Sequence, residues 1–223
     1  MLSKEAVKFI DDLAQNNSTE WMHANKKRYE AYKKDYHNYI GLVLTEMKRL
    51  DPRLENLEVK KCTFRINRDI RFSKNKQPYK TNIGLWFPTN STKNAPGYYL
   101  HFEKGNSFVA GGVYCPENTE LKKIRKEIEF FYDDLNEILS EKKFIEQYKT
   151  LSVDENNKLK KAPKDFDCNH PAIELLKFKS FTTSQKIDDK LFFQPDFSKK
   201  IAQKMIVLKP LNDYLNRALE TED

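Results

Sequence analysis

The spacing of apolar residues changes twice along this chain, and those two changes bound what it can fold into. From about Lys27 to Leu50 the positions Tyr29, Tyr32, Tyr36, Ile40, Val43, Met47 and Leu50 alternate steps of three and four, which is one face of a long helix. From Lys61 to Phe72 the period is two, with Phe64, Ile66, Arg68, Ile70 and Phe72 alternating with Arg65, Asn67, Asp69 and Arg71, and a second such run goes from Tyr79 to Phe87. Beyond Pro116 the helical spacing returns at Leu121, Ile124, Ile128, Phe131, Leu135 and Ile138. Helices, then a block of strands, then helices again predict an α+β fold: an antiparallel sheet of four or more strands packed by helices from both chain ends.

Local signals fill in the elements. Ser3 is expected to cap a first helix carrying Ala6, Phe9, Ile10 and Leu13, and Asn17 with Glu20 has the form of a capping box. Asp51-Pro52 should end the long helix. Residues 62–72 and 79–87 are expected to pair as antiparallel strands across the polar turn Ser73–Pro78. Further strands are expected near 98–103, 108–114 and 178–186, with a loop over 88–97. Gly111-Gly112 inside a strand predicts a bulge or a close approach by another group. One helix is expected from Pro116 to about Ile138, a shorter one over 142–151, another from His170-Pro171 to Lys177, and a closing helix over 195–219. Residues 152–168 carry no element signal. With no repeat and no linker, the chain reads as a single domain over 1–223.

Composition narrows the setting. No stretch approaches the roughly 18 apolar residues of a membrane span, and the N-terminus lacks the pattern of a secretion signal. The three cysteines, Cys62, Cys115 and Cys168, fit no ligand spacing, so reduced thiols, no metal and a cytoplasmic location are expected. Cys115 beside a helix start reads as a buried inert thiol, and His101 as a satisfied strand histidine. No cofactor motif is present: there is no Walker A, GxGxxG, GxSxG or HEXXH. The net charge of +7 rests mostly on lysine and is explained well enough by solubility. Arginine says more. Arg28, Arg49, Arg53, Arg65, Arg68, Arg71, Arg125 and Arg217 are all the arginines there are, and three of them fall within residues 65–71.

That cluster belongs to RINRDIRFSKNKQPYK, residues 65–80, in which Arg65, Arg68, Arg71, Lys74, Lys76 and Lys80 stand against Asp69 alone. The run resembles the signature RIxRDxRFSxDKxPYK of domain-of-unknown-function family 2461, whose members also carry an upstream NNxxWFxxxKxxY segment. Here that segment is NNSTEWMHANKKRY (16–29), and PGYYLHF (96–102), GGVYCP (111–116) and APKDFDCNHPAIELLKFKSF (162–181) extend the resemblance over nearly the whole chain. Met22 replaces the usual Phe, and Asn75 the usual Asp. The resemblance implies a shared fold and brings no chemistry with it.

The chemistry must come from the residues. Guanidinium forks bind carboxylate or phosphate through paired hydrogen bonds, so Arg65, Arg68 and Arg71 with Lys74, Lys76 and Lys80 make a candidate anion site. Asp69 could orient an arginine or serve as a base, and Tyr79 could add a hydroxyl. Arg125, on the apolar side of its helix, must be paired if buried, either to Asp69 or to the same anion. The competing reading is an ion-pair lattice to Glu20, Asp35 or Glu127. An anionic, phosphate-bearing ligand is the leading expectation, with nucleic acid its first class. An enzyme of a small anionic metabolite, using Asp69 or Tyr79, and a docking module for an acidic protein are the alternatives.

Overall fold

The computed structural model describes residues 1–153 and 157–221. In chain order it contains α1 (Lys4–Gln15), α2 (Thr19–Ala24), α3 (Lys26–Leu50), β1 (Ile83–Pro88), β2 (Gly97–Phe102), β3 (Phe108–Val113), α4 (Asn118–Phe130), α5 (Tyr132–Ser140), α6 (Lys142–Tyr148), α7 (Ile173–Leu176), β4 (Phe181–Lys186), α8 (Phe197–Ile206) and α9 (Lys209–Glu220). The strands form one antiparallel sheet in the order β1-β2-β3-β4, so the α+β expectation is met. Among the described residues no helix is long and apolar enough to cross a membrane. Part of the featureless 152–168 stretch, residues 154–156, lies outside the described residues.

Two compact units share the chain, which passes between them after Phe87, Tyr98, Phe108, Gln185 and Gln203. In the first unit, Ser3 caps α1 by accepting from the Ala6 amide at 3.0 Å. Its buried stripe of Ala6, Phe9, Ile10 and Leu13 packs on α3, with Phe9 stacked 5.1 Å from Tyr32. The tyrosine stripe of α3 is a core face, as its spacing predicts: Tyr32, Tyr36 and Tyr39 are buried with Ile40, Val43, Leu44 and Met47. Tyr39 stacks on Phe197 at 5.3 Å. Each such ring removes enough apolar area from water to contribute roughly 1.5–3 kcal/mol.

The second unit is stitched by buried amides. Asn212 on α9 accepts from the Gly112 amide at 3.1 Å and donates to the Gly97 carbonyl at 3.2 Å. Asn216 donates to Thr89 at 2.8 Å and accepts from Asn90 at 2.7 Å. Gly112 carries φ +105, and a Cβ there would lie 2.0 Å from the Phe181 carbonyl oxygen. The close approach expected at the glycine pair is therefore the neighbouring backbone.

Several expectations need correcting. The helix expected over 116–138 breaks at Phe131, whose backbone is non-helical (φ −127, ψ 43) and whose carbonyl accepts the Tyr214 hydroxyl at 3.2 Å. The closing helix splits into α8 and α9 because Pro210 sits in the first turn of α9, where its missing N–H and its ring forbid continuation from α8. The cap of α2 is Ser18, which accepts from the Trp21 amide at 3.2 Å. Asn17 makes its side-chain bonds to Tyr79 instead. All three cysteines are free, and Cys115 is exposed where a buried thiol was expected.

Candidate functional site

The charged segment is a strap laid over the first unit, and it forms no regular strand. Two isolated antiparallel bridges, Thr63 to Leu85 and Asn67 to Tyr79, fix it. On either side of the second bridge the Arg68 amide donates to the Pro78 carbonyl and the Lys80 amide to the Ile66 carbonyl, both at 2.8 Å. Pro78 has no N–H to return, and the Phe64 amide is spent on the Tyr36 hydroxyl at 3.0 Å. The ladder therefore cannot propagate. The apolar alternation is not a core face either: Phe72 is 96% exposed and Phe64 43%.

Asn17 latches this strap to the helices. Its carboxamide donates to the Tyr79 carbonyl and accepts from the Tyr79 amide, each at 3.0 Å. One side chain thus supplies both groups of a peptide unit.

Beneath the strap lies a concavity of about 710 Å³. Tyr29, Tyr32, Lys33, Tyr36 and His37 of α3 form one wall, and Thr63, Phe64, Arg65, Ile66, Arg68 and Asp69 of the strap face them. Lys80, Asn82, Gly84 and Tyr99 complete it. Tyr36 donates to the Gly84 carbonyl and so ties α3 to β1; burial pushes its hydroxyl up to about 12. Lys80 Nζ sits 5.2 Å over the Phe64 ring. Burial, and then the Arg65 charge, lower the Lys80 pKa, so two cations crowd each other here.

The balance of charge is the telling feature. Four cations, Lys33, Arg65, Arg68 and Lys80, line the concavity with a single acid, Asp69. That acid is already engaged: Arg71 holds it through Nε at 3.0 Å and Nη2 at 2.7 Å. These bonds, the Arg71 amide and the Arg65 charge keep its pKa below the usual carboxylate value. Among the described residues none of the four lining cations has a carboxylate partner; the Arg68 guanidinium donates to the Gln77 carbonyl, at 3.0 Å.

Of the residues picked from sequence, Arg65, Arg68, Asp69 and Lys80 meet at the concavity. Arg71, Lys74 and Lys76 are exposed on the strap beyond it, with Lys76 closing the turn onto the Ile70 carbonyl at 3.0 Å. Tyr79 is buried and does not line the cavity. Arg125 belongs to the second unit, where Nη2 donates to the Phe178 carbonyl at 3.0 Å and Nε is buried without a partner among the described residues; the pairing with Asp69 expected for it is made by Arg71 instead. The acids expected to complete a lattice serve elsewhere: Asp35 accepts from Ser3, Glu127 pairs with Arg217, and Glu20 is held by its own amide and Ser18. Sequence reasoning passed over Lys33, His37 and Tyr99. The first two share the helical face of Tyr29 and Tyr36 at steps of three and four, so the signal was present. No three His, Cys, Asp or Glu side chains converge as a metal site among the described residues.

The sequence profile of a family described as "Conserved hypothetical protein (DUF2461)" matches residues 5–214, nearly the whole chain. The chain belongs to the DUF2461 family. Residues 65–80, the run that resembles the family signature, form the strap that roofs the concavity. No curated protein and no solved structure matches the chain.

Proposed function

We propose that this DUF2461 protein binds a phosphate-bearing ligand in the concavity under the strap, with a nucleotide or a segment of single-stranded nucleic acid as the ligand class. The observation that carries the reading is the set of lining cations without carboxylates. Cations that serve only as scaffold are normally neutralised by neighbours, because crowding like charges costs free energy that a bound anion relieves. Arginine forks suit phosphate oxygens. The rings of Tyr29, Phe64 and Tyr99 supply what a planar base needs for stacking, which contributes about 1–3 kcal/mol per base. Exposed Lys74 continues the positive surface along the strap, as a second phosphate would require.

Fluorescence anisotropy with a labelled oligothymidylate tests the proposal. Arg65→Ala and Arg68→Ala should each weaken binding at least about tenfold, the loss of one charged hydrogen-bond partner. With about three phosphates neutralised, log K against log salt should slope roughly −2. Binding indifferent to both substitutions and to salt would remove the reading.

A further inference from the structure

One wall of the concavity leads to a line of polar side chains centred on a buried histidine. Tyr99, His101 and Glu103 occupy alternate positions on and just beyond β2, so their side chains stand on one face. The Tyr99 hydroxyl lies 2.9 Å from His101 Nδ1, and the Glu103 carboxylate lies 3.5 Å from Nε2. A ring nitrogen facing a carboxylate carries the proton, which leaves Nδ1 as the acceptor and Tyr99 as the donor. The two ends of the line differ in environment. His101 is buried, with Phe108 stacked on it at 4.7 Å. Tyr99 opens into the concavity with Arg65, Arg68 and Lys80. Gly84 keeps this end clear, since a Cβ there would come within 2.9 Å of the Tyr99 oxygen. A phenol bordering water needs no buried imidazole backed by a carboxylate to satisfy it.

We propose that Tyr99 is a catalytic acid–base group acting on a phosphate ester held by Arg65, Arg68 and Lys80, with His101 and Glu103 as its positioning residues. The proposal rests on the phosphate-binding reading above. As a water oxygen bonds to phosphorus, the water proton passes to the Tyr99 oxygen and the Tyr99 proton passes to His101 Nδ1. The resulting imidazolium is held by Glu103. The phosphorus–oxygen ester bond breaks, the leaving oxygen takes a proton from solvent, and His101 returns one to solvent. The balance is ester plus water giving phosphate plus alcohol. Glu103 is the charged group acting on His101; its other ring neighbours, Tyr99 and Phe108, are uncharged at neutral pH. Burial lowers the His101 pKa from 6.5 while Glu103 opposes the shift, so the imidazole is neutral and ready to accept at pH 7.

The test uses p-nitrophenyl phosphate and bis(p-nitrophenyl) phosphate as substrates, with pyrophosphate binding followed in parallel by calorimetry. The wild-type chain should hydrolyse at least one ester, with kcat/KM falling at acid pH as His101 protonates. Tyr99→Phe should keep pyrophosphate affinity and lose about 100-fold or more in rate. Glu103→Gln should slow the reaction and move the acid limb to lower pH, because the carboxylate that favours imidazolium is gone. Turnover of neither ester, or an unimpaired Tyr99→Phe, overturns the catalytic assignment. An unmoved acid limb in Glu103→Gln overturns the relay. Pyrophosphate binding separates these failures from failure of the binding proposal itself.

Discussion

Two regions of the molecule handle charge in opposite ways. Around Glu127 and Glu174 in the second unit, cations are answered by acids. Arg217 pairs with buried Glu127 and, at 2.7 Å, with Asp134, while Lys158 and Lys177 each reach Glu174 at 2.6 Å. In the first, Lys33, Arg65, Arg68 and Lys80 line a concavity whose single acid is taken by Arg71. Residues of the same type thus close into ion pairs in one place and stand without carboxylate partners in the other. What distinguishes them is whether the charge closes on itself.

The contrast can be attacked at its strongest point first. Gly112→Ala puts a Cβ into the Phe181 carbonyl at a left-handed backbone position, so the closed unit should lose on the order of 4 kcal/mol or fail to fold; urea denaturation measures it. Next comes a matched pair. Arg217→Ala strands buried Glu127 and should cost about 3 kcal/mol of stability. Arg65→Ala should leave the melting temperature unchanged within about a degree and cut oligonucleotide affinity at least about tenfold. Equal melting losses in the two variants would erase the distinction between the two regions.

A smaller effect runs the other way. The Tyr39 hydroxyl is fully buried without a partner among the described residues, so Tyr39→Phe should stabilise the protein by about 1 kcal/mol in the same denaturation assay. The smallest belongs to Glu174, whose carboxyl Lys158 and Lys177 hold down at about 2. A depressed folded-state pKa contributes stability that is present above the unfolded value near 4.5 and lost as pH falls through about 2. Melting curves of wild type and Glu174→Gln should therefore differ slightly above pH 4.5 and converge by pH 2.

Much of this was readable along the chain because periodicity reports burial. The α3 stripe, the Ser3 cap and strands β2 to β4 follow from spacing and from local turn chemistry. The strap was read too regularly. Its alternation of Phe64, Ile66, Ile70 and Phe72 has the period of a strand, but the pairing that makes a strand depends on Pro78 and on the Tyr36 hydroxyl, which are distant in sequence or silent in a hydropathy pattern. The cation cluster was visible at Arg65 and Arg68. Its α3 half, Lys33 and His37, was hidden because a helix face reads as core or surface without saying what stands opposite. Asn17 misled for a related reason: Asn before Ser-Thr-Glu looks like a cap, and the structure spends it on a residue 62 positions away.

That distance gives the latch a place in time. Helices α1 and α3 need contacts only within themselves to begin forming, whereas Asn17 and Tyr79 can meet only after a 62-residue loop has closed. Non-local closures of this kind come late in folding. The strap that carries Arg65 and Arg68 should then be assembled last, and a chain still folding would not yet have that cationic roof. Pulse-labelled amide exchange reads the order directly: the Tyr79 amide should gain protection with the slowest phase, and protection arriving together with α3 would refute it.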